Sequence, residues 1–234
     1  MDWASVVMEV ARKSPEIISS QDLQLSLIKE CVAQDTYPYN LMAGRLQAAY
    51  LHKKLYGDTI PTVYEMYNKL RSLDIAEPLF YSIDEFNQMQ SMIDHNRDMD
   101  YSYFQIKHIS SKYTLKEPKT NESLESPQLT CKRKDSALAS QFTEDSRMQM
   151  LKDWYDAFSG NKINPPTPNY VNLGTHHRGY SSCCLYTVDD TAQSLAIGDH
   201  IAYTMTYMSA GIGSHINTRS IGDSVRNIGG MHKG

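Results

Sequence analysis

No run of apolar residues in this chain approaches the ~20 that a membrane-spanning helix requires. The first residues do not read as a secretory leader either. The first apolar stretch is bracketed by Asp2 and Glu9, and the basic pair Arg12-Lys13 follows it, the reverse of a signal peptide's order. Cysteine is scarce: four residues, at positions 31, 131, 183 and 184, form neither a C-x-x-C pair nor a disulfide framework. A reducing, cytoplasmic compartment is therefore expected, with any cysteine chemistry catalytic rather than structural. Positive charge is also in short supply. A net charge of −4 and one compact basic run, Lys132-Arg133-Lys134, argue against broad nucleic-acid binding. Asp135 follows that run at once, and the run reads as a solvated loop, with a phosphate patch as the alternative. Internal repeats and low-complexity tracts are lacking as well.

What is present describes an ordinary globular protein. The 234 residues are 41% hydrophobic and 21% charged, enough to bury one large or two small cores. The first ~110 residues read as helices by their apolar spacing. In residues 21–33, Leu23, Leu27, Ile28, Cys31 and Val32 share a face, with Ser20 as the expected cap and Cys31 in the core. A second helix carries Met42, Leu46, Ala49 and Tyr50 and ends near Gly57. A third has Pro61 in its first turn and Val63, Met66, Tyr67 and Leu70 inward. Ser82 and Glu85 form a capping box ahead of Phe86, Met89 and Ile93. Residues 116–135 are polar and read as an exposed connection, with a hairpin or loop near 113–130, which places Cys131 in a loop. A helix over residues 144–158 follows. Residues 183–188 are short and β-prone, a strand. A helix then starts at Asp190, with Gln193 closing a capping box, and Leu195, Ile197, Ile201, Met205 and Met208 give it an apolar surface broad enough to demand burial in the domain or an oligomer. From Ser209 onward the recurring glycines predict loop.

The residues with chemical potential gather in the last third. Cys183 and Cys184 are adjacent on the strand, so only one can face a given pocket, and a buried inert thiol is the alternative for either. The glycine turn Ala210-Gly211-Ile212-Gly213 lets a backbone approach a phosphate closely. Thr167, held between Pro166 and Pro168 in a rigid turn, offers a hydroxyl, and Arg219 and Arg226 offer guanidinium clamps for a second anion, against surface arginines as the alternative. His176 and His177 have no further ligands at useful spacing, so no metal site is expected.

Four stretches resemble the N-terminal part of the large (catalytic, alpha) subunit of class I ribonucleotide reductase. They are Pro38-Tyr39-Asn40-Leu41-Met42-Ala43-Gly44-Arg45-Leu46 with Lys53-Lys54-Leu55-Tyr56-Gly57, Ile93-Asp94-His95-Asn96-Arg97-Asp98-Met99 with Tyr101-Ser102-Tyr103, Pro166-Thr167-Pro168, and Ser181-Ser182-Cys183. The resemblance covers about residues 20–234. It implies an α-rich helical domain over 19–165, then, over 166–234, the first strand, helix and loop of a ten-stranded α/β barrel. Residues 1–18 would be a linker or the remnant of an ATP cone.

By the same resemblance, Thr167, Ser182, Ala210 and Gly211 match positions that hold the substrate diphosphate, and Cys183 matches one of two cysteines that become a disulfide as the ribose is reduced. Asp190, Thr191 and Ala192 match the start of the allosteric specificity site, where a deoxynucleoside triphosphate or ATP binds with Mg2+. Arg219 and Arg226 match arginines facing that effector, provided the loop is one residue shorter than in typical members. The helix from Asp190 matches the family's dimer-interface helix. The implied partners are a C-terminal part of the large subunit, a small subunit carrying the radical metal cofactor, the ribonucleoside diphosphate, and thioredoxin or glutaredoxin as external reductant. The second reductive cysteine, the radical cysteine and the catalytic Asn and Glu would lie outside these residues, so the chain is expected to be inactive alone, as half of a split enzyme or an interrupted product. A non-catalytic nucleotide- or partner-binding scaffold is the alternative, and an open barrel edge predicts poor solubility for the isolated chain.

Overall fold

The computed structural model describes residues 2–225 and 230–231, in two units, Met1–His177 and Arg178–Gly234. The first unit is helical: α1 Trp3–Lys13, α2 Ser20–Ala33, α3 Tyr37–Tyr56, α4 Val63–Ser72, α5 Ile83–Met92, a 3-10 turn His95–Asp100, α6 Tyr103–Lys112, α7 Pro127–Ala139, α8 Glu144–Ser159 and α9 Thr167–Asn172.

Capping fixes where most of these helices begin. Thr62 with Glu65, Ser82 with Glu85 and Ser102 with Gln105 form complete capping boxes, each satisfying backbone N–H groups that the first turn leaves open. Two expected starts shift by a residue or two. Ser19, not Ser20, caps α2, accepting from the Asp22 N–H at 3.0 Å, and Pro61 lies outside α4 because Thr62 takes the cap. Gly57, at φ 67°, ends α3 in a conformation that favours glycine.

Three helices share one core: Val6 of α1, Ile28 and Cys31 of α2, and Ala43 of α3. Beside it, α3 is pressed against the chain that leads into α6. A Cβ on Gly44 would meet the Tyr101 carbonyl oxygen at 2.1 Å, so only glycine permits the approach. A larger core joins Val63, Met66 and Leu70 of α4, Phe86 and Met89 of α5, Leu129 of α7 and Leu151 of α8.

The polar stretch expected to be a solvated loop is instead the buried middle of this unit. Residues 127–139 form α7, with Pro127 in its first turn and the helix-forming Lys132, Arg133, Lys134, Ala137 and Leu138 behind it. Cys131, Lys132, Arg133, Lys134 and Asp135 are all buried. Arg133 is fully engaged. Its Nε and Nη2 donate to Glu125 at 3.0 and 2.8 Å, Nη2 donates to the Tyr170 carbonyl at 2.7 Å, and Nη1 donates to the Leu173 carbonyl. The lysines lie on aromatic rings. Lys132 Nζ is 4.0 Å from the Tyr155 ring centre, and Lys134 Nζ is 3.6 Å from Phe158 and 4.2 Å from Tyr170. Neither ammonium has a hydrogen-bond partner, nor does either carboxylate oxygen of Asp135.

The second unit contains β1 Cys183–Val188, α10 Ala192–Tyr207 and β2 Gly211–Ile216, with a short antiparallel pair, β3 Ser224–Val225 and β4 Gly230–Met231. β1 and β2 run parallel, from Cys183 beside Gly211 to Val188 beside Ile216, with α10 as the crossover. Gly198 lets α10 lie close on β1: a Cβ there would meet Val188 Cγ1 at 2.6 Å. Here too the expectations need two corrections. Residues 211–216 are strand rather than loop, because pairing with β1 supplies the order that their glycines do not. And Thr191, not Asp190, caps α10, accepting from the Ser194 N–H at 3.1 Å, so Gln193 closes no box. Of α10 only Gly198 is buried, while Leu195, Ile197 and Met208 remain exposed.

Two predictions follow from the helical unit. Gly44→Ala forces a backbone displacement and is expected to destabilise the chain by about 3 kcal/mol in urea denaturation, whereas Gly57→Ala, with open space but a strained positive φ, costs about 1–2 kcal/mol. The second concerns pH. Burial pushes the Asp135 carboxyl up to about 7 and the Lys132 ammonium down to about 8. Asp135 thus holds its proton in the folded chain at pH values where the unfolded chain has lost it, and its contribution fades as pH rises toward 7. Lys132 sheds its proton early in the folded chain, and its contribution is lost as pH falls through 8. The two together put the weakest point of α7 near pH 7 to 8, where most proteins are most stable. Replacing Lys132→Met and Asp135→Leu together is expected to raise stability by about 1–4 kcal/mol, with the largest gain between pH 7 and 8 in urea titrations across pH.

Candidate functional site

The strand β1 begins where the candidate residues converge. The Gly211 N–H donates to the Ser182 carbonyl at 2.8 Å, which sets the parallel register and places Gly211 beside Cys183. A Cβ added at Gly211 would stand 3.6 Å from the Ser182 carbonyl oxygen and 3.7 Å from Cys183 Sγ, so the thiol lies against the bare backbone of the glycine. The Ser182 hydroxyl points toward the same sulfur, at 3.8 Å. Ala210 is buried just before β2, its N–H donating to the Met205 carbonyl at 2.9 Å, and anchors the strand to the end of α10. Ser182, Cys183, Ala210 and Gly211 therefore form one cluster.

Alternation along β1 separates the two adjacent thiols. Cys183 is exposed and Cys184 is half-buried, on opposite faces of the strand. The other two cysteines are buried in the helical unit. Cys131, expected in an exposed loop, sits on α7, where burial pushes its thiol up to about 12; burial raises Cys31 as well. Both are protonated, poor nucleophiles at neutral pH.

Thr167 belongs to the helical unit. Instead of a static turn between prolines, it opens α9, with Pro166 as the preceding cap residue and Pro168 in the first turn, and its side chain is exposed. His176 and His177 lie nearby in sequence. His176 Nε2 is 3.4 Å from Asp74, and the His177 N–H donates to Thr175 Oγ1 at 3.2 Å. Among the described residues no group of three or more His, Cys, Asp or Glu is placed to hold a metal ion. None of the described helices is long and apolar enough to cross a membrane.

A second polar cluster forms at the far end of β1. Asp190 Oδ2 accepts from the Arg219 backbone N–H at 3.1 Å and from Arg219 Nε, and Arg219 Nη1 donates to the Ser224 carbonyl at 3.1 Å. Thr191 caps α10 and Ala192 is its first residue. Ser194 had no place in the sequence reading but ties this corner together, donating its N–H to Thr191 and accepting from the Asp189 N–H at 2.9 Å. Its spacing of three from Thr191 was the available signal. Arg226 lies outside the described residues.

Residues 99–178 match the model of the ribonucleotide reductase all-alpha domain. Over 227 residues, 94% of its length, the chain is 30% identical to a ribonucleoside-diphosphate reductase subunit alpha of Haemophilus influenzae. Over 225 residues, 93% of its length, it is 31% identical to the ribonucleoside-diphosphate reductase 1 subunit alpha of Escherichia coli K12 and 33% identical to a subunit alpha of Buchnera aphidicola. The chain spans 30% of the length of each of these relatives. With a helical unit, a β1–α10–β2 unit and this likeness along nearly its whole length, the chain belongs to the family of ribonucleotide reductase alpha subunits.

Proposed function

We propose that this chain forms one wall of the substrate site in a ribonucleoside-diphosphate reductase, with the remaining parts of the enzyme supplied from outside these residues. The observation that carries the proposal is the pairing of Cys183 with Gly211. It sets a thiol, a hydroxyl and an unobstructed backbone at one strand edge, a combination suited to holding a diphosphate beside a redox sulfur. In this reading Ser182, Ala210 and Gly211, with Thr167, bind the diphosphate, and β1, α10 and β2 begin the ten-stranded α/β barrel.

The reaction fits a thiol in this position. Two cysteine thiols give up two electrons and two protons and become a disulfide. The ribose 2′-oxygen leaves as water, and hydrogen takes its place on C2′. Cys183 supplies one sulfur, and the second belongs to the part of the enzyme beyond this chain. Thioredoxin or glutaredoxin returns the two electrons. The metal cofactor of a small subunit would supply the radical for this chemistry. Asp190, Thr191, Ala192, Arg219 and Arg226 form the specificity site for a nucleoside triphosphate effector with Mg2+, and the exposed apolar side of α10 is the dimer surface of the completed large subunit.

The test is reconstitution with the complementary polypeptide and the small subunit, scored by nucleoside-diphosphate reduction. Cys183→Ser is expected to reduce turnover to background, while Cys184→Ser retains it within about threefold, because its side chain faces the other side of β1. Activity that survives Cys183→Ser would leave a nucleotide- or partner-binding scaffold as the better reading. In the same assay, Gly211→Ala is expected to fold normally, since its Cβ makes only ordinary contacts, yet to raise the KM for substrate about tenfold by occupying the phosphate's approach. Asp190→Ala is expected to leave basal reduction in place and abolish its response to effector; an unchanged response would remove Asp190 from the specificity site.

A further inference from the structure

The helical unit contains a cavity of about 690 Å³, lined by none of the residues assigned above to nucleotide. That volume falls in the range of small-molecule sites. Four aromatic side chains, Tyr101, Phe104, Tyr113 and Tyr170, line it. Tyr113 and Tyr170 are stacked, with ring centres 4.6 Å apart and planes 10° from parallel. The Lys134 ammonium sits 4.2 Å from the Tyr170 centre, so the stacked pair is backed by a cation. The stack thereby presents a rigid, polarised aromatic wall.

The polar lining of the cavity holds no carboxylate, ammonium or guanidinium. The amides of Gln105, Asn161 and Asn164 line it together with His108, and no Asp, Glu, Lys or Arg does. The Cys131 thiol, also in the lining, is kept protonated by its burial. An ionic ligand would thus find no counter-charge in the wall. One polar atom stands out. Thr130 lines the cavity, is 1% exposed, and its hydroxyl has no hydrogen-bond partner. Buried hydroxyls are ordinarily paired, and this one, lying under the cavity wall, keeps its hydrogen bond unmade.

We propose that this cavity binds a neutral, planar aromatic ligand with an amide-like edge: the ring against the tyrosine wall, the edge on the Thr130 hydroxyl and the lining amides. The ligand class follows from the three features together, because the stack selects flatness, a lining without Asp, Glu, Lys or Arg selects neutrality, and the unpaired hydroxyl selects a hydrogen-bonding edge.

Benzamide is a direct probe, with cyclohexanecarboxamide as its non-aromatic counterpart and benzoate as its anionic one, each titrated into the full chain by ligand-observed NMR. Benzamide is expected to bind saturably with a millimolar or lower Kd, about tenfold tighter than either counterpart. Thr130→Val keeps the side chain's shape, removes the unpaired hydroxyl, and is expected to weaken benzamide about fivefold. Phe104→Ala, at a position 62% exposed and outside the core, is expected to weaken it as well. The proposal is overturned if benzamide shows no saturable binding, if either counterpart binds equally well, or if both variants bind benzamide as the parent does.

Discussion

The ion pair between Arg133 and Glu125 is the contact on which the helical unit depends. Each partner is buried, and each hydrogen-bonds beyond the pair: Glu125 accepts from the Leu115 N–H at 3.0 Å, and Arg133 reaches the carbonyls of Tyr170 and Leu173. One guanidinium therefore joins α7, the segment before it and the end of α9. A buried pair stabilises only when its remaining donors and acceptors are met, and here they are. Removing one partner would strand a charge in the interior, at a cost of about 3–5 kcal/mol. Because α9 opens with Thr167, the same anchor fixes the stretch from which that hydroxyl projects.

The neighbouring charges on α7 lack such satisfaction. Lys132 and Lys134 rest on aromatic faces and Asp135 has no hydrogen-bond partner, so a helix central to the unit also carries desolvated charge without hydrogen bonds. Tyr170, one of the two rings that receive Lys134, also lines the 690 Å³ cavity, which links the packing of α7 to that space. In the second unit the ordering principle is different. Close backbone approach at Gly198 brings α10 onto β1, and the hydrogen bond from the Gly211 N–H to the Ser182 carbonyl sets β2 beside the strand that carries Cys183.

Much of this was legible in the sequence, and where it was not, the reason is a contact distant along the chain. The helices with regular apolar spacing, the Ser82–Glu85 box, the core position of Cys31 and the strand from Cys183 to Val188 all follow local rules. The helix α7 breaks them. Read locally, Lys132-Arg133-Lys134-Asp135 is a surface, and only Tyr155, Phe158 and Tyr170, each more than 20 residues away, make it an interior. β2 was illegible for a similar reason, since a glycine-rich run becomes a strand only through its register with β1. The family resemblance already put Ser182, Cys183 and Gly211 at one site and Asp190 with Arg219 at another, while composition and spacing gave neither the Gly211–Ser182 hydrogen bond nor the Asp190–Arg219 pair, 29 residues apart.

The central functional claim is that Cys183 is the sulfur this chain contributes to the reduction of a ribonucleotide. It is tested most directly by allowing the completed enzyme a single turnover without external reductant, then mapping its disulfides by mass spectrometry. The account predicts Cys183 joined to a cysteine from outside this chain, with Cys184 still a thiol. A disulfide that spares Cys183, or one that uses Cys184 in its place, would contradict it.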